Sequence, residues 1–455
     1  MHQNIVKHIT DQILTHEKNH RLFDIKFKKK YPIWPFYRMY FYVGFMKYKD
    51  YLGDHGISAR DINKKTAIKF LKLLMDSKLL KCFLPQKNKF MIISSQRYIN
   101  GEEIYTKDIK KVLKNDYFEL SLSNRYDYFY GPVYLDAFKV VFKIISSMTC
   151  NLLKAPCAIK NFLRDVGAPK SFMKEFKRYK IEYILWFIFF DIVLRIQKPQ
   201  KIFIVGAIIF TPLIAAAERL KIEVFELQHG IINNYHLAFH FPGVKRDGFF
   251  SNALLLLSDY WKMKADYPLD TKLITIGNNN FCAKNETESK KRNTILFIGQ
   301  GPLTLKIIDF LRININFFIK NNYIVKYKLH PAEVTGWERY AELKKMHYEG
   351  LLEVTSSSVS ISQLLDDSEI VFGVSSTAIY EGLDRGCKTF ILNLPSSEYF
   401  DDLVEKGVVK KIKSEQILSL DDLNFNPNPI GKFFSPTNNE ILNYIAYHYR
   451  PNVSS

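Results

Sequence analysis

Two kinds of hydrophobic pattern share this chain. Up to about residue 88, and again over 134–197, apolar and aromatic positions recur with helical spacing. Elsewhere they gather in short unbroken runs that end in polar or glycine-bearing turns. Phe90-Met91-Ile92-Ile93-Ser94 is the first such run, and it passes into Ser95-Gln96-Arg97, as a strand buried on both faces does when it enters a loop. Further runs predict strands at 201–205, 222–227, 253–257 and 273–276, with a helix at 212–220. A second set predicts strands at 294–298, 324–329, 369–372 and 388–392, with helices near 303–320, 361–366 and 378–385. Strands alternating with helices in this way argue for parallel βαβ units. The expected fold is α/β, with two doubly wound lobes and an N-terminal helical extension. Its divisions are 1–88 (helical, aromatic and basic), 89–285 (first lobe) and 286–455 (second lobe, closed by an aromatic helix at 438–449). The polar stretch 278–292 is the expected linker.

Length and composition agree with two cores. The chain has 455 residues, 47% of them hydrophobic, with no low-complexity tract or internal repeat. Lys and Arg exceed Asp and Glu by 65 to 46, a net charge of +19, which attracts anions: nucleic acid, acidic lipid or phosphorylated substrates. It is also what the solvated surface of a lysine-rich protein carries. No finger spacing or RNP-type signature is present, so nucleic acid is not an expected partner. The five cysteines, Cys82, Cys150, Cys157, Cys282 and Cys387, are odd in number and widely spaced, as in a reducing cytoplasm. Met1-His2-Gln3-Asn4 does not open a secretory signal. The longest apolar stretch, 184–194, is interrupted at Asp191 and falls far short of the roughly 20 residues that span a bilayer. A core helix over 183–196 and an interfacial one both fit. The segment 34–48 carries eight aromatics beside the lysines at 26, 28, 29 and 30, and is either core or a patch that meets lipid.

Several turns carry candidate chemistry. Ser375-Ser376-Thr377 lies between a strand and a helix, where hydroxyls and free N–H groups bind an anion or simply cap the helix. His330-Pro331 closes an earlier strand of the same lobe, and its imidazole can hydrogen-bond a phosphate or carry a proton. Gly299-Gln300-Gly301-Pro302 follows that lobe's first strand and lets a phosphate approach the backbone, although it has neither GxGxxG nor Walker A spacing. In the first lobe, Glu226-Leu227-Gln228-His229-Gly230 delivers a carboxylate, an amide and an imidazole into a glycine turn, with His236 and His240 following. That spacing is not HExxH and no cysteine is near, so no metal is expected there.

Taken together, strand–His-Pro, helix, strand–Ser-Ser-Thr–helix resembles the carboxy-terminal lobe of GT-B glycosyltransferases. Bacterial polysialyltransferases, Kdo transferases and CDP-glycerol polymerases carry such motifs in this order. The Gln-His-Gly string, Trp34-Pro35 with Arg38, and Arg97 resemble features of capsule and O-antigen transferases. The resemblance covers roughly residues 200–420. It implies two Rossmann-like lobes and a nucleotide-sugar donor as substrate, with no other cofactor. It also implies a glycan or lipid-linked glycan acceptor and a cytoplasmic protein peripheral to the inner membrane. It maps the donor phosphates onto His330, Ser375, Ser376 and Thr377, with Gly299 and Gly301 alongside, and the donor ribose onto Glu381. Arg97, Gln228 and His236 fall on the acceptor or phosphate side. The acidic Asp/Glu-Asp/Glu-Gly motif that holds the base in sialyltransferases is missing. Arg246-Asp247-Gly248 matches it only in part, so the base stays open among His229, Glu226 and Asp247. The leaving phosphate needs positive charge and donors, the attacking hydroxyl needs a base, and neither requires a metal. Transfer of a polyol phosphate from a CDP-linked donor would use the same motifs, and a non-enzymatic assembly or export protein could keep the same fold.

Overall fold

The computed structural model describes residues 5–49, 79–95, 98–99, 102–121, 133–282, 293–330, 333–334, 336–356 and 359–449. The chain forms two units. The larger holds Thr10–Phe45, Ile57–Asn278 and Pro436–Ser455; the smaller holds Asn279–Ser435 with Met1–Ile9 and Met46–Gly56.

The larger unit is built on seven strands: β1 (Phe90–Ser94), β2 (Tyr117–Ser121), β3 (Val133–Tyr134), β4 (Lys201–Val205), β5 (Glu223–Leu227), β6 (Ala253–Leu256) and β7 (Lys272–Thr275). All pair parallel, in the order β7-β6-β5-β4-β1-β2-β3. Numbered from β1, the six strands ending at β6 run 3-2-1-4-5-6, the doubly wound order in which helices cover both faces. The central strands are buried on both sides, which is why they read as unbroken apolar runs.

Helices of this unit begin with α1 (Ile5–Asn19) and α2 (Trp34–Tyr48), each of which has residues in both units. They continue with α3 (Asp136–Thr149), α4 (Cys157–Asp165), α5 (Ser171–Gln197) and α6 (Thr211–Arg219). The apolar side of α5 is core: Tyr183, Trp186, Phe187, Phe190, Val193 and Leu194 are buried. The aromatics of α2 are core as well. Trp34, Tyr37, Phe41 and Phe45 are fully buried, with the rings of Trp34 and Phe41 packed on Phe162 of α4. Most of the aromatics of 34–48 therefore serve the core between α2, α4 and α5, while Tyr40, Val43 and Tyr48 remain exposed. No helix among the described residues is long and apolar enough to cross a membrane.

The smaller unit repeats the plan with β8 (Thr294–Ile298), β9 (Ile324–Lys328), β10 (Glu353–Thr355), β11 (Ile370–Gly373), β12 (Lys388–Asn393) and β13 (Lys410–Lys413). The order β10-β9-β8-β11-β12-β13 is again parallel throughout and again 3-2-1-4-5-6. Helices α7 (Thr304–Lys320) and α8 (Thr377–Asp384) follow β8 and β11. The two Rossmann-like doubly wound lobes expected from the sequence are thus present.

Two boundaries differ from the expectation. The units divide between Asn278 and Asn279, and the C-terminal segment packs with the larger unit, not the second lobe. The reason lies in Lys201, whose buried ammonium donates to the carbonyls of Ile445, Ala446 and Tyr449 at the end of that segment. Residues 10–45, within the N-terminal helical extension, pack with the larger unit.

Candidate functional site

In a doubly wound sheet, ligands bind beyond the carboxyl ends of the strands, where the order of winding reverses. In the smaller unit that point lies between β8 and β11. The turn after β8 is Gly299-Gln300-Gly301. A Cβ on Gly299 would stand 2.7 Å from the Lys328 carbonyl oxygen and 3.1 Å from both the His330 nitrogen and the Glu333 carboxylate, so only glycine fits. Gln300 reaches across to the turn after β11: its Oε1 accepts the Ser375 N–H at 3.0 Å, and its Nε2 donates to the Ser375 hydroxyl. Ser376 caps α8 by accepting the Ala378 N–H at 3.3 Å, and Thr377 begins that helix. Ser375, Ser376 and Thr377 all remain half-buried.

His330 follows β9, exposed, with its Nδ1 3.8 Å from the position of a Cβ on Gly301. The structure therefore brings Gly299, Gly301, His330 and Ser375 to one crevice within this unit. Glu381 lies buried one turn into α8. Sequence reasoning missed Glu333, which is buried and braces the crevice from beneath. Its carboxylate accepts from the His330 N–H at 3.0 Å, from the Tyr340 hydroxyl and from the Thr304 hydroxyl. Its position three residues after His330 was the available signal. Lys328 is turned away from phosphate duty, since its ammonium donates to the Ser356 and Val359 carbonyls and burial lowers its pKa.

In the larger unit the reversal lies between β1 and β4. Gly206, at φ 74°, ends β4, and a Cβ there would stand 4.0 Å from the His229 ring. His229 is half-buried, with Tyr105 and Phe239 ring centroids 6.3 and 5.9 Å away. Glu226 is 2% exposed, and its Oε1 accepts the Ala207 N–H at 3.0 Å. Burial without a counter-charge pushes its carboxyl up to about 8, so at neutral pH it is mostly protonated. Glu226 and His229 thus meet at the same end of the sheet. Gln228 is occupied locally: its Oε1 accepts the Leu257 N–H and its Nε2 donates to the Gly230 carbonyl. A pocket lined by Tyr105, Leu227, Gln228, Leu257, Gly277 and Asn278 opens beside it.

His236 bonds the Ile231 carbonyl oxygen through Nδ1 at 2.9 Å, and desolvation lowers its pKa. His240 accepts the Asp266 N–H through Nδ1, so these histidines serve the loop that follows Gln-His-Gly. Asp247 is not brought to this group. It is exposed and 4.0 Å from Lys26, near the Lys30–Glu218 pair at the carboxyl end of α6, which points to the opposite edge of the sheet. Arg97 lies outside the described residues.

The loop after Gln-His-Gly is held by residues from α1 and α2. Arg38, fully buried, donates to the Leu237 and His240 carbonyls at 2.6 and 2.8 Å. Its other nitrogens grip Glu17 in a two-pronged pair at 2.9 and 2.6 Å. Trp34 Nε1 donates to the same carboxylate at 2.8 Å, and the guanidinium lies over Phe241. Trp34 and Arg38 were singled out in the sequence, but Glu17 was missed, and its nearness to them depends on how α1 and α2 cross.

No protein-family model matches the chain. An uncharacterized protein of Methanocaldococcus jannaschii is 28% identical over 251 residues, 52% of this chain and 45% of that protein, so this chain spans less than half of the relative's length. Among solved structures, the UDP-GlcNAc 2-epimerase of Methanocaldococcus jannaschii in complex with UDP-GlcNAc and UDP aligns with a TM-score of 0.46 at 12% identity, over 78% of this chain and 97% of that one. MurG of Acinetobacter baumannii aligns with a TM-score of 0.40 at 11% identity, over 80% and 96%. The glycosyltransferase of kitacinnamycin aligns at 0.43 and 10%, over 74% and 89%. The assignment of two Rossmann-like lobes rests on this chain's own strand pairing, parallel and 3-2-1-4-5-6 in each unit.

Proposed function

We propose that this chain is a GT-B glycosyltransferase that moves a sugar from a nucleotide-linked donor to a glycan or lipid-linked glycan acceptor of a surface polysaccharide, without a metal. The observation that carries this reading is the crevice of the smaller unit. A glycine turn, an exposed imidazole and a hydroxyl-bearing helix start meet there at the reversal point of a doubly wound sheet. That set of groups suits a nucleotide phosphate: N–H and O–H donors from the Ser375–Thr377 turn, close approach over Gly299 and Gly301, and His330 beside the leaving oxygen. Glu381 is the donor-ribose residue in this reading. On the acceptor side His229 takes the hydroxyl proton. Glu226, protonated at neutral pH and buried, supports it from behind instead of competing for the role. Arg97 falls on the acceptor or phosphate side in this reading, while Gln228 and His236, both bonded locally, hold the turn that carries His229.

The test is a panel of CMP-, CDP-, UDP- and GDP-linked donors, CDP-glycerol included, scored for thermal stabilisation and transfer. One nucleotide class should stabilise the protein. Replacing Ser375 and Ser376 with alanine should weaken that binding and raise the donor KM. His229→Ala should lower kcat with nucleotide binding retained, and His330→Ala should lower turnover by orders of magnitude in a folded protein. No stabilisation by any donor would remove the enzymatic reading and leave the assembly-protein one.

The same reading places the chain in the cytoplasm at the inner-membrane surface, which is supported by the outward face of α3. Val140, Ile144 and Met148 are exposed there beside Lys139 and Lys143. From Ala137 to Arg164 the sequence has five basic residues and no acidic one. Apolar insertion and attraction to anionic lipid act together on such a face. Vesicles rich in phosphatidylglycerol should sediment the protein at low salt, and Ile144→Glu with Met148→Glu should release it. Equal recovery with neutral vesicles would count against this placement.

A further inference from the structure

Glu17 is flanked by histidines: His16-Glu17-Lys18-Asn19-His20 has HExxH spacing, which puts both imidazoles on one side of a helix a single turn apart. The structure adds a third donor from 145 residues away. His20 Nε2 lies 2.8 Å from Asp165 Oδ2, at the end of α4. One ligand atom from each of His16, His20 and Asp165 falls within 4.8 Å of the others. The two imidazoles stand nearly parallel, 13° between planes with centroids 6.1 Å apart.

From this geometry we propose that His16, His20 and Asp165 form a zinc site that ties α1 to α4 within the larger unit. Two imidazole nitrogens and one carboxylate oxygen, with a water in the fourth position, are a common donor set for that ion. Tetrahedral zinc at about 2.0–2.1 Å from each ligand spaces the ligand atoms about 3.3 Å apart, so modest side-chain rotation closes the site. Other features support it. Arg164 Nε holds Asp165 Oδ1 at 2.9 Å, which orients the carboxylate. Its Oδ2 is left aimed at the histidines. The pair also sits where α1 ends, and the carbonyl end of a helix favours a cation.

The chemistry differs from that of an HExxH hydrolase. There the glutamate must be free to act on a metal-bound water, whereas here Glu17 is gripped by Trp34 and Arg38. The ion's role is structural: it would fix α1 in rotation and position, and so fix the Glu17–Arg38 pair that holds the loop after Gln-His-Gly.

The experiment uses the untagged full chain, stripped with a chelator, with zinc chloride as the probe at pH 7.5. Equilibrium dialysis should find one tightly held ion per chain, with a rise in Tm on addition. Cobalt in its place should give the visible absorption of a four-coordinate ion. His16→Ala and His20→Ala should each weaken binding at least ~10-fold and abolish the Tm rise. Asp165→Asn should weaken it while the protein stays folded, since its side chain is partly exposed. An absence of stoichiometric zinc would overturn the site. So would zinc binding that His16→Gln and His20→Gln leave unchanged, since the ion would then lie elsewhere, for instance on the exposed Cys157.

Discussion

At the scale of single residues, burial decides what each titratable group can do. Glu226 shows this most clearly. Its carboxyl sits in the core against one N–H, and its Oε2 has no hydrogen-bond partner among the described residues. Its pKa is raised from 4.5 to about 8. Between those values the native state holds a proton that the unfolded chain has released, so stability falls as pH rises from about 4.5 to 8 and is fully present below that window. Glu226→Gln keeps the shape without the ionisation. Its denaturant midpoint should change less with pH than that of the parent, with a gain of a few kcal/mol at pH 8 and above. Parallel pH profiles for the two proteins would show that Glu226 ionises normally. The sequence pointed to Glu226 by its place beside Gln-His-Gly, but not to its charge state. That depends on which side chains close over it.

At the scale of elements, the turn after β8 is the point of greatest constraint. Gly299 donates its N–H to the Lys328 carbonyl at 2.8 Å, and that same oxygen would stand 2.7 Å from a new Cβ. The clash is with backbone, which cannot swing aside as a side-chain tip does. Gly299→Ala should therefore cost about 1–3 kcal/mol and push β8 away from β9. Thermal unfolding gives the loss of stability, and loss of nucleotide binding beyond it would reflect displacement of His330. A variant as stable as the parent would mean the turn can relax. The central strands on either side were legible from the sequence because burial on both faces makes them continuous apolar runs. The two edge strands of the smaller unit were not. Lys410-Lys411-Ile412-Lys413 of β13 and Glu353-Val354-Thr355 of β10 carry too few apolar residues to stand out, and only their neighbours make them strands.

At the scale of the whole molecule, the C-terminal segment is a lock on the larger unit. Leu442 and Ile445 are fully buried, Tyr447 donates to the Val112 carbonyl, and Lys201 is bonded to three carbonyls of the segment. A chain ending at Ser435 forgoes at least about 3 kcal/mol from those two side chains alone. Hydrogen exchange should quicken across β4 and β5 while β8 and β11 keep their protection; uniform exchange across both units would contradict the division. By itself, the sequence determined the strand–helix alternation, the two sheets and the turns that carry His330, Ser375 and His229. Each of these is set by local apolar runs and local turn chemistry. Only the tertiary structure decided that Gln300 would meet Ser375, that Glu17 would pair with Arg38 under the Leu237 and His240 carbonyls, and that the last helix would return to the first lobe. Those contacts depend on which strands and helices become neighbours, and neighbours far apart in the chain are chosen by burial of the whole apolar surface, a sum that no single stretch of sequence contains.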